Sequence, residues 1–230
     1  MNNITENLFQ GNRGIMSDAE LEKVSKTRIL LVGLGGLGGH LANSLTRLGI
    51  HAIALVDDDR FSVSNLNRQL FSSTETLGKY KTEAVSKELM KINPEIELTS
   101  YPIRIQEIDT AVFGKIDLII DAVDDIKTKL YLEAVGKKHR IPLLHGAIGG
   151  WYGQIGLSLP GSNLLSDFYG DAPRGLEKAL GSPTFIPPVI ANLMIAEMIK
   201  FLCGRFPNLA NQLMMVDVLN HDSRVVFKAR

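Results

Sequence analysis

Apolar residues follow two alternating patterns over most of the chain. Short continuous apolar runs, typical of strands buried in a parallel sheet, alternate with segments whose apolar residues recur at the period of an α-helix. The predicted strands end near residues 32, 57, 103, 125 and 150. This alternation predicts an α/β fold with a Rossmann-like, doubly wound and mainly parallel sheet, which binds ligands at the carboxyl ends of its strands.

The pattern changes after residue 150. Residues 151–160 alternate between apolar and polar positions, as in an antiparallel strand, and residues 160–187 are rich in Gly, Pro and Ser, which indicates a crossover-type loop. Residues 187–204 predict a buried apolar helix, and the last residues predict a hairpin that turns at 220–222. We therefore expect the parallel sheet to continue into an antiparallel C-terminal extension.

Polar residues mark three further helices. Ser17 begins a capping-box sequence, which predicts a short helix that ends near Lys26. Lys79 and Lys81 lie in the first turns of a second predicted helix, whose apolar residues form one broad face. Residues 105–113 predict one more short helix.

The first strand-to-helix turn carries a phosphate-binding pattern. Gly33, Gly35 and Gly38 follow the first apolar run as G-x-G-x-x-G, which lets a phosphate approach the backbone N–H groups at a helix N-terminus. Asp57 ends the second apolar run about 24 residues later, where a carboxylate accepts ribose hydroxyls, and Asp59 is close enough to assist. The pattern predicts a nucleotide site, with the alternative that the glycines only permit close packing of helix on strand.

Polar and cationic residues that follow Asp57 indicate whether the nucleotide is ATP or NAD. Asn65 and Arg68 lie in one short segment, and Lys81 follows in the next predicted helix. Nucleotidyl transfer needs cations around a triphosphate, whereas a hydride-transferring enzyme has no evident use for Arg68 in this place. These residues favour an ATP enzyme over an NAD-dependent oxidoreductase.

An acidic cluster ends one of the buried strands. Asp124 is placed to hold Mg²⁺ between phosphate oxygens, since that ion favours one or two carboxylates plus substrate phosphates. Asp121 and Asp125 flank it, and the sequence leaves either of them open as the metal ligand. His145, at the end of the next strand, is interpreted as a structural residue rather than as a ligand or base.

Composition excludes several classes of protein. Lys+Arg and Asp+Glu are each 25, so a zero net charge gives no support for binding nucleic acid or a membrane surface. No apolar run reaches the roughly 18 residues of a membrane span, and the first residues lack the features of a signal peptide, so we expect a cytoplasmic protein. The single cysteine, Cys203, excludes an internal disulfide and a paired-cysteine zinc site.

With these motifs in view, the chain resembles the ThiF/MoeB/HesA family, relatives of the ubiquitin-activating enzymes. The resemblance rests on the glycines of residues 33–38 and on the motifs DDDRFSVSNLNRQ, LGKYKTEAV, INP and DAVDD. It covers residues 28–150 strongly and continues more weakly through AEMIKFLCG. It implies that residues 28–230 form a single ATP-binding adenylation domain, preceded by an N-terminal arm and short helix at residues 1–27.

The resemblance implies a reaction. ATP and Mg²⁺ bind, and the C-terminal glycine carboxylate of a small ubiquitin-like sulfur-carrier protein (ThiS/MoaD-like, from thiamine or molybdopterin biosynthesis) attacks the α-phosphate. An acyl adenylate and pyrophosphate result. Carried over by position, Gly35 and Gly36 line the phosphates, Asp57 takes the ribose, Asn65 and Lys81 hold the triphosphate, and Asp124 binds Mg²⁺.

Two arginines and a glutamine complete the implied site. By analogy with the family, Arg68 reaches into the partner subunit's site, which implies a homodimer, and Gln69 supports the same loop. The family also contributes an N-terminal arginine; Arg13 is the candidate, and it is close enough in sequence to the glycine turn to reach it.

The chain also departs from the family. Many relatives carry two C-x-x-C pairs for zinc, or a cysteine that forms a thioester or persulfide, whereas Cys203 lies in an apolar predicted helix, where a cysteine is usually a packing residue. We expect a zinc-free member without a catalytic cysteine, whose chemistry ends at the adenylate. Adenylation of a non-protein carboxylate, such as a modified tRNA nucleoside, is the alternative function.

Overall fold

The computed structural model describes residues 10–170 and 180–229. Within these ranges, eight strands form one sheet, and six α-helices pack around it. The strands are β1 (Arg28–Val32), β2 (Ala52–Val56), β3 (Glu97–Tyr101), β4 (Leu118–Asp121), β5 (Leu143–Gly149), β6 (Tyr152–Ser158), β7 (Gln212–Asp217) and β8 (Asp222–Lys228). The helices are α1 (Asp18–Lys26), α2 (Gly36–Leu48), α3 (Lys81–Ile92), α4 (Ile126–His139), α5 (Leu164–Tyr169) and α6 (Ile186–Leu202).

The sheet has the order β3-β2-β1-β4-β5-β6-β7-β8. All neighbours from β3 to β5 pair in parallel, and β6, β7 and β8 continue the sheet with antiparallel pairs. This confirms the predicted α/β fold, including its antiparallel extension. The strand order reverses between β1 and β4, so their carboxyl ends form the crevice in which doubly wound sheets bind ligands.

Both faces of the central strands are covered by helices. Leu30 and Leu31, neighbours in β1, are each 0% exposed and belong to two different apolar cores. Helices α2, α3 and α6 cover one face, and α4 and α5 cover the other. Because each strand is buried on both faces, its sequence shows a continuous apolar run rather than an alternating one.

Three predicted elements differ in the structure. Residues 105–113 lie in two 3₁₀ segments, Ile105–Glu107 and Thr110–Lys115, instead of one helix. Helix α3 begins at Lys81, so Lys79 precedes the helix instead of lying in its first turn. The predicted loop at 160–187 contains α5, and its residues 171–179 lie outside the described residues.

The start of helix α5 is stabilised by a carboxylate from another helix. Glu133 of α4 is buried and accepts hydrogen bonds from Leu165 N (2.7 Å), Ser166 N (3.0 Å) and Ser158 Oγ (3.0 Å). These bonds satisfy the backbone N–H groups that are left without partners at a helix start. The cap is distant in sequence, so the local pattern of residues 160–187 does not reveal it.

The N-terminal arm packs at the far end of α2 from the glycine turn. The capping box predicted at Ser17 is present in α1. Arg205 Nη2 lies 2.9 Å from the Glu20 carboxylate and donates to Ile15 O at 2.6 Å. Asn12 Nδ2 donates to Leu48 O at 3.2 Å. No helix among the described residues is long and apolar enough to cross a lipid bilayer.

Acid is expected to release the arm before the domain unfolds. The Ser17 backbone N–H, with Arg205, lowers the pKa of Glu20 from 4.5 to about 2. The contribution of Glu20 to the capping box of α1 and to the pairing with Arg205 is therefore fully present above pH 4.5 and is lost as the pH falls towards 2, since an arm without these contacts binds the proton more tightly. Amide hydrogen exchange at residues 15–20 between pH 5 and pH 2 measures the release.

Two variants control this experiment. Glu20→Gln removes the titrating group, so the exchange should be fast and show no such transition, whereas Glu22→Gln, on the same helix, should leave the transition unchanged. An unaltered transition in Glu20→Gln would assign the release to another group.

Candidate active site

The four glycines of the turn between β1 and α2 have two kinds of surroundings. A Cβ on Gly33 would lie 2.6 Å from Ala122 O, and one on Gly38 would lie 1.8 Å from Gly33 O. These two glycines therefore permit close backbone packing. Gly35 and Gly36 are less crowded: the nearest described neighbours of a Cβ there are Gln69 Nε2 at 3.7 Å and Pro187 Cγ at 3.3 Å.

No side chain of the described residues caps the N-terminus of α2. Its N-cap is Gly35, which has no side chain to accept from the first N–H groups of the helix. Uncapped N–H groups of this kind, with the positive end of the helix dipole, are favourable surroundings for a phosphate. The packing interpretation therefore applies to Gly33 and Gly38, and the binding of a phosphate at Gly35 and Gly36 stays a prediction.

Gly38→Ala is expected to destabilise the protein by about 3 kcal/mol or more, because overpacking against backbone atoms has no flexible side chain to absorb it. Gly39→Ala is the matched control: its Cβ meets only Phe71 Cδ2 at 3.6 Å and Leu70 at 3.7 Å, and alanine gains about 1 kcal/mol over glycine inside a helix. Urea unfolding of both variants measures the difference. Equal stability of the two variants would contradict the close approach.

Asp57, Asp59 and Lys81 form a partly buried charged group beside the turn. Asp57 Oδ2 accepts from Leu34 N at 2.6 Å, and its Oδ1 accepts from Asp59 N at 2.9 Å. The Lys81 side chain is 5% exposed, and its Nζ lies 2.8 Å from Asp59 Oδ2 and 3.7 Å from Asp57 Oδ1. Burial raises the pKa of Asp57, and the Lys81 ammonium partly opposes the shift.

The segment after Asp59 carries three predicted residues, of which Arg68 and Gln69 lie beside the turn. Asn65 is buried, and its Oδ1 accepts from Ser62 N at 2.9 Å, which leaves the amide donors for a ligand. Arg68 Cγ lies 3.6 Å from where a Cβ of Gly36 would be, so its stem packs on the turn of its own chain. Gln69 is also buried, and its Oε1 has no hydrogen-bond partner among the described residues.

The three acids after β4 have different environments. Asp121 is fully buried and accepts from His145 Nδ1 at 2.7 Å, and Asp125 caps α4 by accepting from Thr128 N at 2.8 Å. Asp124 is exposed, and none of the hydrogen bonds or ion pairs among the described residues uses its carboxylate. The contact between Gly33 and Ala122 holds this loop against the turn. The geometry therefore favours Asp124 among the three acids as a metal ligand.

The site fits a magnesium ion that arrives with a nucleotide. Within residues 10–170 and 180–229, no three His, Cys, Asp or Glu side chains cluster as they would to hold a metal by themselves. Mg²⁺ prefers one or two carboxylates together with substrate phosphates, and an exposed carboxylate beside a phosphate cradle provides that arrangement.

Arg13 lies away from these residues. It lines a small cavity with Leu48 and Gly49 at the C-terminal end of α2, and its Nε is 3.9 Å from Asp18. Helix α2 has 13 residues and is therefore about 20 Å long. The expectation that Arg13 reaches the glycine turn of its own chain is wrong, because the arm leads to the opposite end of α2.

Two further residues, His145 and Cys203, have surroundings typical of structural rather than catalytic residues. His145 is buried between Asp121 and Tyr169, and burial, together with Lys129, lowers its pKa, so the imidazole is neutral near pH 7. Burial and the neighbouring Glu20 carboxylate raise the pKa of the Cys203 thiol, which disfavours the reactive thiolate.

An uncapped helix N-terminus at the switch point of a doubly wound sheet is the arrangement with which many α/β proteins bind nucleotides. Comparison with known proteins narrows this class. The model of the ThiF family matches residues 9–230, and the chain belongs to that family. The match confirms the family predicted from the sequence and, with the relatives, the predicted class of enzyme, an adenylyltransferase.

Individual relatives agree with this assignment. The chain is 29% identical to the sulfur carrier protein adenylyltransferase of Thermus thermophilus, over 88% of this chain and 79% of the relative. It is 31% identical to the molybdopterin-synthase adenylyltransferase of Escherichia coli, over 90% and 85% of the two chains. A crystal structure of E. coli MccB with ATP covers 100% of this chain and 73% of its own at a TM-score of 0.77, and with 22% identity it shows the shared fold.

Proposed function

We propose that this protein uses ATP to adenylate the C-terminal glycine carboxylate of a small ubiquitin-like sulfur-carrier protein. The observation that carries the proposal is the uncapped N-terminus of α2, with Lys81 buried on one side and the exposed carboxylate of Asp124 on the other. The relatives named as sulfur carrier protein and molybdopterin-synthase adenylyltransferases support the carrier as the substrate.

Each group at the site has its own role in binding and polarising the triphosphate. The N–H groups of α2 hold phosphate oxygens, and Lys81 and Arg68 supply positive charge. Asp57 lies where the ribose of a nucleotide binds in this fold. Asp124 would hold Mg²⁺, which neutralises charge on the phosphates when it is bound.

The reaction needs no nucleophile from the enzyme. A carboxylate oxygen of the carrier forms a bond to the α-phosphorus, the bond from that phosphorus to the bridging oxygen breaks, and pyrophosphate leaves. Cations that bind the departing phosphates stabilise the charge that develops on them. The raised pKa of Cys203 agrees with a reaction that ends at the adenylate.

An exposed apolar surface next to the site supports a homodimer. Gly36 packs between Arg68 and Pro187, which joins the Arg68 loop to the start of α6. Apolar side chains on both segments are 37% to 71% exposed: Val63, Leu66, Leu70, Phe185, Val189 and Leu193. Apolar patches of this kind mark protein–protein interfaces.

The dimer would also account for the two arginines. The family resemblance implies that Arg68 serves the partner subunit, but its stem packs on Gly36 of its own chain, which supports a role in its own site. Arg13 is at the far end of α2 from its own turn, so it can reach a triphosphate only in a partner. We therefore propose that Arg68 acts within its own subunit and Arg13 across the dimer.

A non-protein carboxylate is the second candidate substrate. The tRNA threonylcarbamoyladenosine dehydratase of Haemophilus influenzae is 34% identical over 65% of this chain and 57% of its own length. Its name concerns a tRNA nucleoside, and the zero net charge of this chain gives no electrostatic support for such a large polyanion. The sulfur carrier remains the better-supported substrate.

Pyrophosphate exchange tests the proposal. The purified protein should exchange labelled pyrophosphate into ATP when a ThiS-like or MoaD-like carrier ending in Gly-Gly is added, and the preferred carrier identifies the pathway. A carrier whose last glycine is deleted is the matched control and should give no exchange. Exchange that depends on a modified tRNA instead, or no exchange with any carrier, would overturn the proposal.

A further inference from the structure

A buried lysine lies beneath the loop that carries Asp124. Lys129 is in the first turns of α4, and its side chain is 1% exposed. Burying a charge is unfavourable unless it is paired and hydrogen-bonded, and an apolar side chain of similar volume is often at least as stabilising as a buried ion pair. Packing alone therefore does not account for a lysine at this position.

The Lys129 ammonium uses all three of its donors, two at the carboxyl end of β4 and one in the middle of β5. Its Nζ donates to Val123 O at 2.5 Å, to Gly146 O at 3.0 Å and to Asp121 Oδ2 at 3.4 Å. Lys129 and His145 outweigh the effect of burial and lower the pKa of Asp121, so this carboxylate is ionised opposite the ammonium. The lysine is thereby fixed at a single point below the loop.

The bond to Val123 O fixes the peptide group that precedes Asp124. Val123 N also donates to Asp121 Oδ1 at 3.0 Å, so both backbone polar groups of Val123 are held. Because a peptide group is planar, a fixed carbonyl of Val123 also fixes the N–H of Asp124. Asp125, on the other side, is held as the cap of α4. Asp124 thus lies between two anchored residues with its carboxylate exposed.

We propose that Lys129 is a positioning residue for the metal: it holds the Val123–Asp124 peptide so that the Asp124 carboxylate faces the Mg²⁺ of a bound Mg·ATP. This inference rests on the proposed function, since it takes Asp124 as the residue that meets the ion. Lys129 itself touches neither nucleotide nor metal and acts only through the loop.

A purely structural lysine would behave differently. If Lys129 only neutralised Asp121 and filled the core, its loss would lower the melting temperature and leave the effect of Mg²⁺ on ATP affinity unchanged. If it positions Asp124, its loss reduces the enhancement of ATP affinity by Mg²⁺ and leaves metal-free ATP binding as it was.

Calorimetric titration with ATP, in Mg²⁺ and in EDTA, separates the two roles. For Lys129→Met we expect the ratio of the two affinities to fall by about 10- to 100-fold, the range for loss of a group that orients a metal ligand. Lys129→Arg keeps the donors and should retain most of the ratio. Lys127→Met removes the same charge from the exposed side of α4 and should not change the ratio.

A second variant provides a test in case Lys129→Met alone does not fold. Asp121→Asn with Lys129→Met removes both buried charges together, so no unpaired carboxylate remains, and we expect the same fall in the ratio. Full enhancement by Mg²⁺ in either folded variant would overturn the inference while leaving the proposed function intact. A wild-type protein whose ATP affinity gains nothing from Mg²⁺ would also overturn the inference, and one that binds no ATP at all would overturn the proposed function with it.

Discussion

Asp124→Asn is expected to lower carrier-dependent pyrophosphate exchange by about 10²- to 10³-fold, the loss seen when a group that stabilises transition-state charge is removed. The asparagine has the same shape and no charge, so it binds Mg²⁺ far more weakly. Because the Asp124 carboxylate is exposed and has no partner among the described residues, the variant should unfold at the same urea concentration as the wild type.

The neighbouring acid is the matched control. Asp125→Asn makes the same chemical change one residue further on, and asparagine is as good an N-cap as aspartate. This variant should keep its activity within a few-fold. If Asp125→Asn loses exchange and Asp124→Asn retains it, the metal ligand is Asp125.

Mixed dimers are expected to show which arginine crosses the subunit interface. Arg13→Ala, Arg68→Ala and Lys81→Gln should each be nearly inactive alone, since each removes a contact with the triphosphate. In a dimer of Arg13→Ala with Lys81→Gln, the first subunit keeps its own Lys81 and receives Arg13 from the second. One site is then intact, so equal mixing should restore on the order of a quarter of the wild-type activity in a two-fold dimer.

The second mixture gives the opposite expectation. If Arg68 serves its own subunit, a dimer of Arg68→Ala with Lys81→Gln has no intact site and stays inactive. Restored exchange in this mixture would instead support the family analogy, in which Arg68 acts across the interface. Size-exclusion chromatography of each mixture checks that dimers form, and a monomeric protein would contradict the expectation that Arg13 acts across the interface.

The central sheet was predictable from the sequence because its strands are buried on both faces. Continuous apolar runs such as Ile29–Val32 are typical of strands of this kind when glycines and helical segments separate them. The capping box at Ser17 was equally predictable, since the residues that form it are neighbours in the chain. Local chemistry that lies within a few residues is readable from the sequence alone.

Features that depend on distant partners were not predictable. Helix α5 forms where Glu133, on another helix, supplies its cap. The position of Arg13 depends on how the arm docks against α2, and Lys129 resembles any solvated lysine of an amphipathic helix until its three acceptors are known. In each case the deciding contact joins residues that no sequence period connects.

The anchoring of α5 has a consequence for how such a chain can diverge. Glu133 ties down α5 before residue 170, while Gly150 N–H donates to Gly181 O and Asn67 Nδ2 to Ser182 O beyond it. Both anchors belong to segments other than the glycine turn between β1 and α2. A chain that changes Glu133 or Asn67 can therefore alter where the backbone is held at residues 165 and 182 while the glycine turn itself stays as it is.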